Sequence, residues 1–142
     1  MSEPRTFSDT SFRLFLAENR LMGCCCDSCG MVFLPPRPIC TNCFGRDLQW
    51  IEIPAAGRLA AFTCISVGPP AMLAEGYDRD KPYCSGVVEM DGGVRIDARI
   101  EGVDTKKPED IRIGMPMRAV YLHREREGVP STVLAFTPAN PA

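Results

Sequence analysis

Two cysteine pairs of identical spacing constrain this chain more than any other feature. Cys26-Asp27-Ser28-Cys29 and Cys40-Thr41-Asn42-Cys43 each hold two thiols two residues apart, with ten residues between the pairs. Four soft ligands so placed converge tetrahedrally on one structural zinc ion. In each knuckle the chain must reverse so that both sulfurs face one point while backbone N–H groups hydrogen-bond the first thiolate. Gly30, directly after a ligand, tolerates that tight turn. Iron suits four thiolates chemically, but no redox signal accompanies the pattern and zinc is the commoner structural occupant. A module this short cannot find its folding free energy in its own core, so the metal supplies it, on the order of 10 kcal/mol near neutral pH.

Six of the eight cysteines lie between Cys24 and Cys43. Clustered thiols are read as metal ligands if the compartment is reducing, and the first ten residues carry charges and Pro4 but no apolar signal core. No run approaches the roughly 18 apolar residues of a membrane span. A cytoplasmic location is the expectation. Cys25 could replace Cys26 with one more residue in the turn; the repeated spacing favours Cys26. Cys64 and Cys84 fall in strand patterns, where a free cysteine is usually a small buried hydrophobe.

The chain has 142 residues, 45% of them hydrophobic and 24% charged, enough for one ordinary domain or a stapled module joined to a small barrel. Sixteen basic and 18 acidic residues give a formal charge of −2, so no long-range field draws the chain toward phosphate backbones or anionic membranes. Arginine outnumbers lysine, which occurs only as Lys81, Lys106 and Lys107, and this tilts the reading slightly toward a protein partner.

Ser8 or Asp9 can cap a short amphipathic helix in which Phe12, Phe15, Leu16 and Leu21 form the apolar stripe and Arg13, Glu18 and Arg20 face outward. That stripe packs on the chain's own core or on a partner. From residue 48 onward the pattern is β: Leu48 to Ile53, Gly57 to Val67, Tyr83 to Met90, Val94 to Ile100, Pro116 to Arg124 and Ser131 to Thr137. Val94, Ile96, Ala98 and Ile100 alternate with Arg95, Asp97 and Arg99, giving one buried and one wet face. Asp91-Gly92-Gly93 supplies the positive φ angles of a hairpin turn. Five or six short strands escape exposed edges by closing, and a five-stranded Greek-key barrel of the OB type is the usual solution at this length. The expected organisation is a helix and zinc ribbon over residues 1–47 and a barrel over 48–142, with Gly68 to Pro82 as a long irregular stretch.

Leu21-Met22-Gly23, the two knuckles, and Pro35-Pro36-Arg37 between them are followed by Gly57, Phe62-Thr63, Pro82-Tyr83, Glu89 near Asp91-Gly92-Gly93, Ile113-Gly114-Met115, and Phe136 with Pro138. In this order they resemble a family that joins an N-terminal helix and rubredoxin-like zinc ribbon to a C-terminal OB-fold, acyl-CoA-associated proteins that partner thiolases. The likeness spans nearly the whole chain. It departs from the family pattern at Cys24-Cys25 and at Thr41, where proline is common. The resemblance implies a non-catalytic subunit of a thiolase-type complex that helps bind or channel acyl-CoA, with the catalytic cysteine on the partner. His123, the sole histidine, sits in a strand pattern without a recognisable nucleophile, which agrees.

CoA phosphates want arginine, and the pantetheine arm wants a narrow, mostly apolar groove. Phe33, Pro36 and Arg37 in the ribbon, with Arg79 and Tyr83 beside the long loop, are the candidate CoA or partner contacts. Each has an ordinary alternative: Phe33 as cover for the metal site, Arg37 as a brace, Tyr83 as a barrel aromatic. A different class, single-stranded nucleic-acid binding, suits zinc ribbons and OB-folds in general, but a basic run interleaved with aromatics is missing. A hydrolase using Cys64 or Cys84 would need a base near either thiol, and a single histidine makes that poor.

Overall fold

A computed structural model describes residues 5–90 and 93–139. Helix α1 spans Asp9–Ala17; Ser8 caps it, its hydroxyl accepting from the Ser11 N–H at 3.2 Å. Phe12, Phe15 and Leu16 are buried, so the amphipathic stripe serves the chain's own core. Asn19, at φ 59°, ends the helical stretch: its N–H donates to the Leu16 carbonyl, and the Arg20 N–H turns back to that of Phe15.

Strands β1 (Met22–Cys26), β2 (Val32–Phe33) and β3 (Leu48–Glu52) form a three-stranded sheet in the order β2-β1-β3. The strand beginning at Leu48 therefore completes the ribbon's sheet, its Leu48 opposite Cys26 and its Glu52 opposite Met22. The sequence pattern places Leu48 to Ile53 in one series with the barrel strands, because period two does not reveal which sheet a strand joins.

Strands β4 (Ala56–Ile65), β5 (Tyr83–Met90), β6 (Arg95–Ile100), β7 (Pro116–Arg126) and β8 (Val129–Pro138) close into a barrel in the order β4-β5-β6-β8-β7. All neighbours are antiparallel except β6 and β8. Five strands closed in this way form the expected OB-type barrel. The bulge between Leu59 and Ala61 helps β4 curve from β5 toward β7. Glu127 (φ 53°) and Gly128 (φ 79°) make the two-residue turn between β7 and β8, the positive-φ pair that tight hairpins favour. Of the expected turn at Asp91-Gly92-Gly93, the first two residues lie outside the described residues; Gly93 has φ 91° and its N–H donates to the Met90 carbonyl.

The main core is continuous from α1 into the barrel: Phe12, Leu16, Leu21 and Leu34 join Leu59, Val88, Met90, Met117 and Phe136 in one cluster. Gly57 and Gly86 sit where neighbouring strands come too close for a side chain; a Cβ on Gly57 would meet the Glu89 carbonyl oxygen at 2.4 Å. A second, small cluster of Cys24, Cys26, Phe33, Cys40 and Leu48 belongs to the ribbon.

Within the long stretch from Gly68 to Pro82, irregular by its sequence pattern, lies a short helix, α2 (Pro70–Ala74). Its Met72 is buried, and the following Glu75 binds both Arg99 (3.1 Å) and Arg124 (3.2 Å). Arg99 sits on the outward face of β6, yet its side chain is only 11% exposed because this strap covers it. None of the described helices is long and apolar enough to cross a membrane.

Candidate metal centre and neighbouring surfaces

The two knuckles are built alike. In the first, the Gly30 N–H donates to the Cys26 carbonyl (2.8 Å) and the Cys26 N–H to that of Met31 (2.9 Å). In the second, the Phe44 N–H donates to the Cys40 carbonyl (2.8 Å) and the Cys40 N–H to that of Gly45 (2.9 Å). Both turns need a left-handed residue directly after the second cysteine: Gly30 at φ 78° in one, Phe44 at φ 62° in the other. For a residue with a side chain that conformation costs about 1 kcal/mol. The Asp27 N–H reaches the Asp47 carbonyl at 2.8 Å and ties the first knuckle to the start of β3.

The sulfurs of Cys26, Cys29, Cys40 and Cys43 all lie within 4.8 Å of one another. Cys26 and Cys43 are 3.6 Å apart and Cys29 and Cys40 3.5 Å, close to the ~3.8 Å edge of a tetrahedron with zinc–sulfur bonds of about 2.3 Å. The Cys43 N–H points at the Cys40 sulfur (3.5 Å), the backbone-to-thiolate bond expected of a knuckle. Gly45 closes over the cluster: a Cβ there would meet the Cys43 sulfur at 3.3 Å. Geometry and donor type both fit structural zinc. Four protein ligands fill its coordination sphere, so the ion supplies a cross-link and holds no position open for a substrate. As free thiols, Cys29 and Cys43 would ionise unevenly. Hydrogen bonds led by that from Asn42 pull Cys29 down to about 6. Cys43 is lowered by the Gly45 N–H, but its sulfur neighbours and burial outweigh this and push it up to about 12. A divalent cation removes that conflict by favouring all four thiolates.

Cys24 is not part of this cage. It is fully buried, and its sulfur accepts from the Arg37 N–H at 3.3 Å, pinning the loop that carries Pro35 and Pro36 onto β1. Burial raises its pKa above the ordinary thiol value, outweighing that hydrogen bond. Cys25 is half-buried, and its sulfur lies 3.7 Å from the Gly30 carbonyl.

The five residues singled out for CoA or partner contact are not gathered at one place. Phe33 is buried in the ribbon core, yet with Arg37, Met31, Val94 and Arg95 it lines a shallow cavity of about 440 Å³ between the ribbon and the β5–β6 turn. Pro36 is buried and Arg37 exposed beside it. Tyr83 lines a different cavity, of about 300 Å³, with Tyr77, Lys81, Arg99 and Glu101; its ring meets that of Tyr77 edge-on at 5.7 Å. Arg79 is exposed in the turn closed by Asp78 and Lys81 and lines neither. Arg95 and Arg99 were absent from the sequence-based set. Their alternation with apolar residues marks them as outward, as Arg95 is, but the strap that covers Arg99 comes from elsewhere in the chain.

The remaining reactive groups have structural settings. His123 is exposed on β7, 2.7 Å from the Asn19 side-chain oxygen and 3.1 Å from the Thr132 hydroxyl, and so fastens the end of α1 to the β7–β8 hairpin. Cys64 and Cys84 face each other across β4 and β5. Burial first, and the neighbouring Cys64 second, push the Cys84 thiol up to about 12, the opposite of an activated nucleophile.

Family models match both parts of the chain: the rubredoxin-like zinc ribbon domain of ChsH2 over residues 15–49 and the C-terminal OB-fold domain of ChsH2 over 50–122. A DUF35 domain-containing scaffold protein of Methanocaldococcus jannaschii is 31% identical over 109 residues, 76% of this chain and 72% of the relative. The benzoylsuccinyl-CoA thiolase subunit BbsA of Thauera aromatica is 26% identical over 110 residues, covering 78% and 70%. Among solved structures, a chain of the Ltp2-ChsH2(DUF35) aldolase superposes with a TM-score of 0.75 at 25% identity, covering 99% of both chains.

Proposed function

We propose a function from one premise: the chain belongs to the family of ChsH2-type zinc-ribbon and OB-fold proteins, whose relatives include DUF35 scaffold proteins. On this reading it is a non-catalytic accessory subunit of a thiolase-like acyltransferase complex, working in the cytoplasm, that stabilises the enzyme and helps bind or channel its acyl-CoA. The observation that carries the reading is the likeness along both modules to a thiolase subunit and to a chain of a two-component aldolase. Chemistry within the chain supports it: the thiolate cage leaves no open metal position, His123 is engaged in structural hydrogen bonds, and Cys84 is a buried thiol.

Two regions suit acyl-CoA. Arg37 and Arg95 bring two guanidinium groups to the cavity lined by Phe33 and Val94, a combination that serves phosphates beside a pantetheine arm; Pro36 is buried next to Arg37 in the chain. Tyr83, with the exposed Arg79 nearby in sequence, offers a second contact on the strap. Single-stranded nucleic acid is less well served, because Glu75 clamps the strap onto Arg99 of β6 and Arg124 of β7 and so engages two basic side chains that such a ligand would need.

The test is to capture partners of the zinc-loaded chain from its native host, identify them by mass, and assay the captured enzyme with and without this chain. The reading expects a thiolase-like subunit whose activity or stability depends on the chain, with Arg37→Ala and Arg95→Ala together raising KM for the acyl-CoA about tenfold through lost charge-assisted contacts. Full activity of the enzyme alone would refute it.

A further inference from the structure

We infer that Phe44, at the tip of the second zinc knuckle, is the anchor by which this chain docks on its enzyme partner, entering an apolar pocket rimmed by basic side chains. The inference rests on the accessory-subunit reading above and adds to it the surface and the chemistry of the pocket.

Three non-glycine residues of the described chain have left-handed backbones: Asn19, Glu127 and Phe44. Two serve the fold. Asn19 ends the α1 stretch and bonds His123, and Glu127 forms the β7–β8 turn with Gly128. The knuckle geometry demands a left-handed residue at position 44 as well, but its twin at position 30 is glycine, which takes that conformation without penalty. Phenylalanine stands there instead, and its side chain gives the fold nothing obvious in return, because the residue is 76% exposed. A strained, solvent-facing aromatic is a poor choice for a free chain and a good one for an interface, where such rings fill desolvated pockets.

The surroundings say what kind of pocket. Thr41, Asn42 and Gly45, its neighbours in sequence, carry no charge, as the desolvated centre of an interface prefers, while Arg46 just beyond them is exposed. Cys29 and Cys43 are exposed beside it. Four thiolates around a divalent cation leave two negative charges, more than the single Arg46 offsets, so a partner covering the tip would meet it with arginine or lysine. A second copy of this chain would bring the same negative tip and a formal charge of −2 that already counts the thiols as neutral. Like charges therefore disfavour self-association through this surface.

The experiment compares zinc-loaded wild type, Phe44→Gly and Phe44→Tyr as full chains. Glycine removes the strain and the ring together, so Phe44→Gly is expected to keep one zinc per chain and to melt at or above the wild-type temperature. Its affinity for the purified thiolase-like subunit should nevertheless fall at least tenfold, with Phe44→Tyr restoring it to within about threefold. Binding of Phe44→Gly within twofold of wild type overturns the inference while leaving the accessory-subunit reading intact. A lower melting temperature for Phe44→Gly assigns the ring to the fold and overturns it too, as does a wild-type dimer in sedimentation that Phe44→Gly dissociates. If the wild-type chain binds no thiolase-like subunit, the underlying reading fails and this inference with it.

Discussion

The ribbon and the barrel are held together by different physics. The ribbon's buried cluster has five members, of which Cys24, Cys26 and Cys40 are cysteines, leaving Phe33 and Leu48 as its large apolar groups. Two such side chains, at about 1.5–3 kcal/mol each, cannot offset the conformational entropy of ordering some thirty residues. Among the described residues the barrel and α1 share a cluster of fifteen, with Phe136, Leu59, Val88 and Met117 almost wholly buried. One region borrows its stability from an ion; the other derives it from apolar area. The two meet at Leu21 and Leu34, which leave the ribbon segment to join the barrel core, so the ribbon has a fixed seat even though its own interior is small.

Metal removal should expose the contrast most strongly. Chelation, or Cys26→Ser with Cys40→Ser, should remove on the order of 10 kcal/mol from the ribbon and unfold it, while the barrel's β signal in circular dichroism persists. Loss of the whole spectrum in one step would show that the two regions fold as one. The converse attack is Phe136→Ala, which should cost about 3–5 kcal/mol in chemical denaturation and leave zinc content unchanged. The strap comes next. Glu75→Ala removes the ion pair to Arg124 and the nearer of the two to Arg99, which keeps Glu101 at 3.8 Å, and should cost about 1–2 kcal/mol, less than a fully buried pair because Glu75 keeps access to water. Faster tryptic cleavage at Arg79 or Lys81 would report the loosened loop.

Solution pH should separate the regions by sign. Protons compete with the metal for thiolates, so the ribbon loses stability as pH falls. Cys84 acts in the other direction. Its folded pKa of about 12 lies above the ordinary thiol value, so the folded state holds the proton longer, and barrel stability declines as pH rises past the unfolded value. The loss should reach about 1 kcal/mol near pH 9.5, read as a falling denaturation midpoint that Cys84→Ala abolishes. The smallest effect is expected at Arg13 and Asp9, an exposed i,i+4 pair at 2.9 Å; Asp9→Ala should change stability by less than about 0.5 kcal/mol.

The metal site was legible in the sequence because its information is local. Two C-x-x-C turns need only their own residues to point sulfurs inward, and four soft ligands leave little choice of chemistry. Helix α1 was legible for the same reason, with Ser8 as cap and Phe12, Phe15 and Leu16 as stripe. So were the barrel strands, whose alternation reflects one wet and one dry face.

Tertiary structure decided where those faces lead. Leu48–Glu52 reads like any barrel strand, but pairing with β1 assigns it to the ribbon, since hydrogen-bond partners are chosen across the fold and leave no mark on period. Cys24 and Cys26 are alike in sequence and differ only in direction: one sulfur faces the Arg37 backbone and the other the metal cage. Arg99 alternates like an exposed residue and is covered by α2, a segment too short and proline-rich to show helical period. Local chemistry fixes which groups can bind a metal or line a core. Burial and company come from residues far apart in the chain, and only the closed fold brings them together.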